Sequence, residues 1–191
     1  MSFKKSIEVK QRILADDSLI SEISHVAEAI ISSLKKGGKI IFCGNGGSFA
    51  DAQHLSAEFT SRFMFDRPSL PALALGTNSS AMSAVANDYG YDQVFSRELS
   101  SIGTSDDVII GISTSGKSVN VLKALGTALE KGSYSALLTG GNSEISKSLD
   151  GVRILQVPSL ETATIQESHI MIGHILCEIA ESAIFNSDRK D

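Results

Sequence analysis

Apolar residues divide the chain into a helical start, a middle of short apolar runs and a helical end. Between residues 6 and 36 they recur at three- and four-residue steps, at Ile13, Ile20, Ile23, Ala27, Ile30 and Leu34. This spacing predicts an amphipathic helix, and the Gly37-Gly38 pair is expected to end it. Residues 163–185 show a similar spacing and predict a second long helix.

Five short apolar runs lie between these helices and alternate with helical patterns. They are residues 40–43, 72–75, 108–112, 136–138 and 154–157. Because the runs lack clear polar alternation, each is expected to be buried on both faces of a sheet, which is typical of parallel strands. The sequence therefore predicts an α/β fold of three layers, with a five-stranded parallel sheet flanked by helices.

Two of the predicted strands run into loops of small residues, each followed by a helix. The first reads IIFC-GNGGS-FADAQHLSAEF from residue 40, and the second reads VIIGI-STSGKS-VNVLKAL from residue 108. In doubly wound sheets, ligands bind beyond the carboxyl ends of the strands. Both loops are therefore expected to face one crevice.

The second loop has the chemistry of a phosphate site. Its hydroxyls, on Ser113, Thr114, Ser115 and Ser118, accompany Gly116 at the start of a helix. Free backbone N–H groups and the helix dipole favour an anion there. Helix capping is the alternative, but it requires only one hydroxyl. The loop lacks the G-x-x-x-x-G-K-[ST] pattern, so a phosphate monoester on a small metabolite is favoured over nucleotide hydrolysis.

The first loop is suited to close contact between backbone and ligand. Gly46 and Gly47 permit near approach, and the amide of Asn45 both donates and accepts hydrogen bonds. The alternative is a tight turn from strand to helix in which Ser48 and Asp51 form a capping box. The two interpretations are compatible.

The helix after this loop carries three groups at four-residue spacing. His54, Glu58 and Arg62 place a base or metal ligand, a carboxylate and a guanidinium on adjacent turns. The alternative is an exposed face with two favourable ion pairs. Because Glu58 lies two to three turns beyond the loop, its carboxylate is expected to overhang the crevice.

The last helix holds a second polar cluster, formed by Gln166, Glu167, His169 and His174. Glu181 is expected on the same polar side, away from the apolar stripe. His174 has apolar neighbours, so a partly buried imidazole suited to acid or base chemistry is expected. Gln166 and His174 are about 12 Å apart along the helix. They could share an ion by leaning together or by coming from different chains.

The composition of the chain limits the classes of partner and the compartment that we expect. The 191 residues contain 17 Lys and Arg against 22 Asp and Glu, a net charge of −5, which predicts no nucleic-acid partner. Two cysteines in apolar segments imply no disulfide framework and favour the cytoplasm. No apolar run approaches the roughly 18 residues of a membrane span, and the N-terminus lacks a secretory signal. We therefore expect a cytoplasmic protein with no membrane partner.

Five motifs together resemble one family, and they are GNGGS, DAQHLSAEF, ANDYG, GISTSGKS and TIQESHIMIGH. In this order they resemble the phosphoheptose isomerases of the sugar isomerase (SIS) superfamily, over about residues 39–176. The resemblance implies a flavodoxin-like SIS fold in a cytoplasmic homotetramer. We expect one domain over residues 1–191, with a helical segment at 1–36 and the α/β core and C-terminal helix at 37–191. An excess of apolar helix surface also favours a subunit interface.

The reaction implied by the resemblance converts sedoheptulose 7-phosphate to D-glycero-D-manno-heptose 7-phosphate, the first step toward ADP-heptose and lipopolysaccharide core or related glycans. The implied sugar contacts are Asn45, Gly46, Gly47, Asn87 and Asp88. The implied phosphate contacts are Ser113, Thr114, Ser115 and Ser118. The reacting end of the sugar would meet Glu58 and Gln166, and His174 would complete the site. One zinc per subunit is implied at His54, Glu58, Gln166 and His174, and Arg62 also matches an active-site position.

The chemistry of the residues agrees with this role. Aldose–ketose interconversion moves a proton between C1 and C2 through an enediol, which requires a base and an acid. Glu58 is the predicted base and His174 the predicted acid. Zinc, His174 or Arg62 would relieve the charge encounter between carboxylate and enediol. If Glu58 ligates zinc its basicity falls, so a structural, an inhibitory and a displaced metal all stay open.

Three places depart from the common family pattern, at residues 77–80 (Thr-Asn-Ser-Ser), at Thr164 and at Phe49. Other functions also stay open. They are a non-catalytic SIS protein that binds the replication initiator, an isomerase of another phosphosugar, and a sugar-phosphate sensor without turnover. The presence of both Glu58 and His174 favours an enzyme.

Overall fold

The computed structural model describes residues 3–141 and 150–185. The α-helices are α1 (Phe3–Leu14), α2 (Asp17–Lys36), α3 (Gly47–Thr60), α4 (Ser79–Tyr89), α5 (Val94–Ile102), α6 (Val119–Glu130) and α7 (Thr162–Phe185). A 3-10 turn, Tyr91–Gln93, separates α4 from α5. The strands are β1 (Ile40–Gly44), β2 (Ala72–Ala74), β3 (Val108–Ile112), β4 (Tyr134–Gly140) and β5 (Arg153–Val157).

The five strands form one parallel sheet in the order β2-β1-β3-β4-β5. Every residue of β1 and β3 is buried, as expected for apolar runs without polar alternation. Each predicted run overlaps one strand, and the ends differ most for β4, which begins at Tyr134 and ends at Gly140. The predicted parallel sheet is therefore confirmed, with the flavodoxin-like strand order.

Helices cover both faces of the sheet and complete three layers. Ile40 and Phe42 of β1 point into a core shared with α1, α2, α3 and α7. Ile41 and Cys43 point into a second core shared with α5 and α6. Successive strand residues serve opposite faces because side chains alternate along a strand. The helix α4 contrasts with the others, since none of its residues is buried.

The N-terminal helical region is two helices, so the prediction of one helix over residues 6–36 is wrong in this respect. The break lies at Asp16, whose carboxylate accepts a hydrogen bond from the Leu19 N–H at 3.0 Å and caps α2. An Asp at this position offers the backbone an alternative to continuing the helix. The predicted end is confirmed, because Gly37 closes α2 in the left-handed conformation with φ of 86°.

The helix α7 is a core helix. By length and apolar composition it is also the one described helix that could cross a membrane, contrary to the expectation that no apolar run approaches that length. Its residues Ile172, Leu176 and Ala180 are buried against the sheet and its neighbours, however. Glu181 is also buried, with 1% of its surface exposed, so its predicted place on the polar side is wrong. A buried arginine explains this position, as described below.

Both cysteines are buried and free. Burial raises the pKa of the Cys43 and Cys177 thiols to about 12. Each thiol therefore behaves as a small apolar core group. This agrees with the expectation that the chain has no disulfide framework.

Candidate active site at the carboxyl edge of the sheet

The two small-residue loops meet where the strand order reverses. β1 and β3 are neighbours, and each is followed by one of the loops. The side-chain amide of Asn45 donates to Asn120 Oδ1 at 2.8 Å, and the Asn120 amide donates to Asn45 Oδ1 at 2.9 Å. Tyr91 adds a third bond, from its hydroxyl to Asn45 Oδ1 at 3.0 Å. The loops therefore border one crevice at the topological switch point.

The first loop is tight because it packs directly on α7. A Cβ added at Gly47 would lie 2.5 Å from the Gln166 side-chain nitrogen, so the loop and Gln166 are in close contact. Gly46 adopts φ of 57° at the start of α3. The capping-box interpretation is wrong, because α3 has no side-chain cap and Asp51 Oδ2 is buried without a hydrogen-bond partner among the described residues.

The hydroxyls of the second loop do not cap α6. Ser118 occupies the N-cap position but makes no side-chain capping bond. Its hydroxyl instead lies 2.9 Å from that of Ser113, and Ser115 Oγ accepts from the Lys117 N–H at 3.2 Å. Gly116 supplies the turn with φ of 64°. Thr114 and Ser115 line a cavity of about 210 Å³ beside the start of α7.

Two helices bring three titratable groups together. His54 and Glu58 lie one turn apart on α3, with His54 Nε2 3.4 Å from Glu58 Oε1. His174 on α7 places its Nε2 2.9 Å from that of His54. The rings meet nearly edge to face, at 61°. His174 is half-buried, as expected, and its ring lies 5.3 Å from the ring of Phe63.

The close approach of α3 and α7 depends on Gly173. A Cβ at this position would lie 2.5 Å from both terminal carbons of Leu55. Leu55 and Gly173 are each next in sequence to one of the two histidines. The absence of a side chain at residue 173 therefore allows the imidazoles of His54 and His174 to touch.

The three groups fit a zinc ion. One ligand atom from each of His54, Glu58 and His174 lies within 4.8 Å of the others. Two imidazoles and one carboxylate form a set that zinc takes in catalytic sites, where a fourth position stays open. With Zn–N bonds of about 2.0 Å, a tetrahedral site separates two nitrogens by about 3.3 Å, close to the spacing here. Without a cation, one imidazole must donate to the other.

Asp51 adds charge to this cluster. Burial raises the pKa of its carboxyl, while His54 and His174 oppose that rise. Asp51 therefore lies within electrostatic reach of both imidazoles. Asp51 was predicted only as part of a cap, although its place one turn before His54 on α3 indicates that the two side chains lie close together.

The structure separates the predicted polar cluster on α7. Glu167 accepts from Ser6 at 2.6 Å and pairs with Lys10 on α1. His169 is fully buried, and its Nε2 lies 3.2 Å from the Thr139 carbonyl. Gln166 contacts the first loop at Gly47, and His174 contacts His54. The expected four-residue cluster is therefore wrong, because its members face different sides of one helix.

Other predicted residues lie farther from the cluster. Arg62 is exposed and follows the end of α3 at Thr60, so it does not form a third step on the helical stripe. Asn87 and Asp88 lie exposed on the last turn of α4, where the Asn87 amide donates to Asp88 at 2.8 Å. Their contact with the sugar stays a prediction.

Sequence reasoning missed the residues that support the site. Asn120 is buried at the start of α6, and an amide inside the apolar stretch VNVL was the available signal. Tyr91 and Phe63 carried no comparable signal. Of the departures from the family pattern, Asn78 caps α4 by accepting from the Ala81 N–H at 3.1 Å.

Comparisons with known proteins agree on one family. A family model described as SIS domain matches residues 3–140. The chain is 50% identical to a phosphoheptose isomerase of Aneurinibacillus thermoaerophilus, over 96% of this chain and 92% of the relative. It is 46% identical to one of Burkholderia pseudomallei, over 96% and 93%. Solved phosphoheptose isomerases from Francisella tularensis (TM-score 0.88, 36% identity, 94% of each chain) and Neisseria gonorrhoeae (TM-score 0.85, 43% identity, 94% and 95%) share its fold.

Proposed function

The chain belongs to the SIS domain family, among the phosphoheptose isomerases, and from this premise we propose that it converts sedoheptulose 7-phosphate to D-glycero-D-manno-heptose 7-phosphate. This would be the first step toward ADP-heptose. The observation that carries the proposal is the cluster of Glu58, His174 and His54, which lie close together on α3 and α7. It supplies a carboxylate and an imidazole on facing helices, which are the groups that proton transfer requires.

Glu58 is the proposed base. It would take the proton from C1 of the ketose and return it to C2, so that the ketose becomes the aldose through a 1,2-enediol. Its side chain is 23% exposed, which leaves the carboxylate open to a substrate while α3 holds its backbone. His54 lies 3.4 Å away and would help to fix its orientation.

His174 is the proposed acid. As the base removes the C1 proton, negative charge develops on O2, and the imidazole would donate a proton there. The return step requires a proton to leave O1, which the same imidazole would accept. Its contact with Phe63 and with His54 restricts the ring, so the donor points in a defined direction.

One zinc ion per subunit is proposed at His54, Glu58 and His174, with Gln166 as the fourth protein ligand. The fit of the first three supports this set. When bound by these four side chains, zinc would lower the basicity of Glu58, so its role would be structural or inhibitory, or it would be displaced during turnover. Gln166 lies against Gly47 of the first loop and would also orient the reacting end of the sugar.

The remaining site residues would hold the two ends of the sugar phosphate. Four hydroxyls of the second loop would take the phosphate, and they are those of Ser113, Thr114, Ser115 and Ser118. The sugar contacts would be Asn45, Gly46, Gly47, Asn87 and Asp88. The paired amides of Asn45 and Asn120 support the arrangement, because they keep the two loops at a constant separation.

We further propose a homotetramer in the cytoplasm, with residues 1–191 as one SIS domain. Helix α1 exposes Phe3, Ile7 and Leu14, with 92% of Phe3 accessible, and this apolar surface suits a subunit interface. Helix α7 lies wholly beyond the matched residues 3–140, yet it packs on α2 and α3 and carries His174. The net charge of −5 favours a small-molecule partner over nucleic acid.

The test follows sedoheptulose 7-phosphate by NMR with the purified wild type, Glu58→Gln and His174→Ala, with and without added zinc. We expect heptose 7-phosphate from the wild type and rates about 10²- to 10⁴-fold lower from each variant. Glu178→Gln is the matched control, because Glu178 is an exposed carboxylate on α7 outside the site. Full activity in either site variant contradicts the assigned roles.

A wild type that binds the sugar phosphate without turning it over would instead indicate a sugar-phosphate sensor. Turnover of a different phosphosugar in a substrate panel would support the proposed isomerase activity but show that the proposed substrate is wrong. Circular dichroism of every variant establishes that a lost rate reflects chemistry in a folded protein.

A further inference from the structure

A buried ion pair lies behind the titratable cluster and takes no part in the proposed proton transfers. Arg67 Nε donates to Glu181 Oε1 at 2.8 Å, and the two side chains are only 2% and 1% exposed. Arg67 belongs to the segment after α3, and Glu181 lies two turns beyond His174 on α7. The pair therefore joins the two elements that carry the proposed base and acid.

Arg67 binds the last turn of α3, which is the turn of Glu58. Its Nη2 donates to the Glu58 carbonyl at 2.8 Å and its Nη1 to the Phe59 carbonyl at 2.7 Å. The last carbonyls of a helix have no partner within the helix, and a cation is favoured at that end. Arg67 thus holds the backbone of the proposed base through the planar fork of its guanidinium.

Glu181 binds the chain on the other side of the cluster. Its two oxygens accept from the Phe63 N–H at 2.9 Å and the Met64 N–H at 2.7 Å. The Phe63 ring packs against His174. Burial raises the pKa of Glu181, but these two N–H groups and Arg67 outweigh it and lower the pKa below its ordinary value. The ionised carboxylate therefore fixes the residue that supports the imidazole of the proposed acid.

We propose that Arg67 and Glu181 are positioning residues, which hold the Glu58 carboxylate and the His174 imidazole at the separation that proton transfer requires. This inference rests on the proposed roles of Glu58 and His174. A pair kept only for stability has no need of these partners, since apolar replacements of buried ion pairs are often neutral or stabilising. Here both side chains form hydrogen bonds with backbone groups of or near Glu58 and of Phe63, which contacts His174.

The test measures kcat, KM and the histidine ring resonances of Arg67→Lys and Glu181→Gln. Lysine keeps the charge without the fork, and glutamine accepts at one oxygen only. We expect kcat about 10²-fold lower, because a displacement near 1 Å costs about that much, with KM changed less than about threefold. The His174 ring signal should shift in both variants.

Asp107→Asn is the matched control, because the buried carboxylate of Asp107 also forms an ion pair, with Lys39 at 2.8 Å, before β3 at the opposite edge of the sheet. This control should lose stability and keep kcat. The inference is overturned if the pair variants lose no more kcat than the control and leave the His174 signal in place.

Two further measurements separate the possible failures. If the Arg67 and Glu181 variants do not fold, the kcat of Phe63→Leu tests the inference instead. This substitution removes the ring beside His174 and leaves the ion pair intact. An unchanged kcat in Phe63→Leu would then overturn the inference. If the wild type does not isomerise the heptose phosphate, the proposed function fails, while the His174 ring signal still tests the positioning.

Discussion

Acid should destabilise the protein through His169, a residue that takes no part in the proposed proton transfers. The imidazole is fully buried on α7, and its Nε2–H donates to the Thr139 carbonyl at 3.2 Å. Nδ1 is buried without a hydrogen-bond partner among the described residues, so a second proton would have no acceptor. Burial lowers the pKa of His169 to about 4, although the bond to Thr139 opposes this change.

The direction of the effect follows from proton linkage. Below its ordinary pKa of 6.5 the unfolded chain binds a proton at His169 that the folded protein excludes until about pH 4. The stability is therefore complete above about pH 6.5 and is lost as the pH falls toward 4. At about 1.4 kcal/mol per unit of pKa difference, the full loss is about 3 kcal/mol, of which about 2 kcal/mol falls between pH 7 and pH 5.

The assay is urea unfolding at several pH values for the wild type and His169→Gln. Glutamine retains an N–H donor for Thr139 and does not ionise, so its stability should fall by about 2 kcal/mol less on going from pH 7 to pH 5. His25→Gln is the control, because the His25 side chain is 47% exposed. Identical pH dependence in wild type and His169→Gln, or NMR titration of the His169 ring near its ordinary pKa, would refute the reasoning.

Two other predictions concern the ion pair of Asp107 and the contact between α3 and α7. Burial raises the pKa of Asp107, but bonds from Lys39 and from backbone N–H groups lower it overall, so its stabilisation exists above about pH 4 and disappears as the pH falls through the folded pKa. Asp107→Asn should cost about 2 kcal/mol in urea unfolding at neutral pH, and a difference that persists in acid would contradict this. Gly173→Ala should cost about 1 to 3 kcal/mol in thermal unfolding, because the new methyl group meets Leu55. The control Gly126→Ala has open space in α6 and should stabilise the protein; equal effects of the two would contradict the close approach of α3 and α7.

The sheet was predictable because each strand is marked by a short run of consecutive apolar residues. Runs such as residues 108–112 are apolar throughout, and burial on both faces leaves no room for polar alternation. The break at Asp16 was not predicted, because the apolar spacing continues across it while one side-chain bond to Leu19 decides the outcome. The prediction that Arg62 continues the stripe of His54 and Glu58 was wrong for a related reason. Extending a four-residue spacing assumes that the helix continues, but α3 ends at Thr60.

The site was predictable where its residues share one element. His54 and Glu58 are one turn apart on α3, and the sequence spacing alone implies their contact. The approach of His174 depends on how α7 packs on α3, which the spacing does not encode. Arg67 and Glu181 are separated by 114 positions, and only the folded chain reveals that they pair.

The central claim is that a proton, passed between C1 and C2 by a base in this crevice, isomerises a phosphorylated heptose. The most direct measurement is the conversion of sedoheptulose 7-phosphate by the wild type in D2O, observed by NMR. A base that exchanges its proton with solvent should produce D-glycero-D-manno-heptose 7-phosphate with deuterium at C2. An absence of the aldose phosphate, or its formation at an equal rate by Glu58→Gln, would contradict the account.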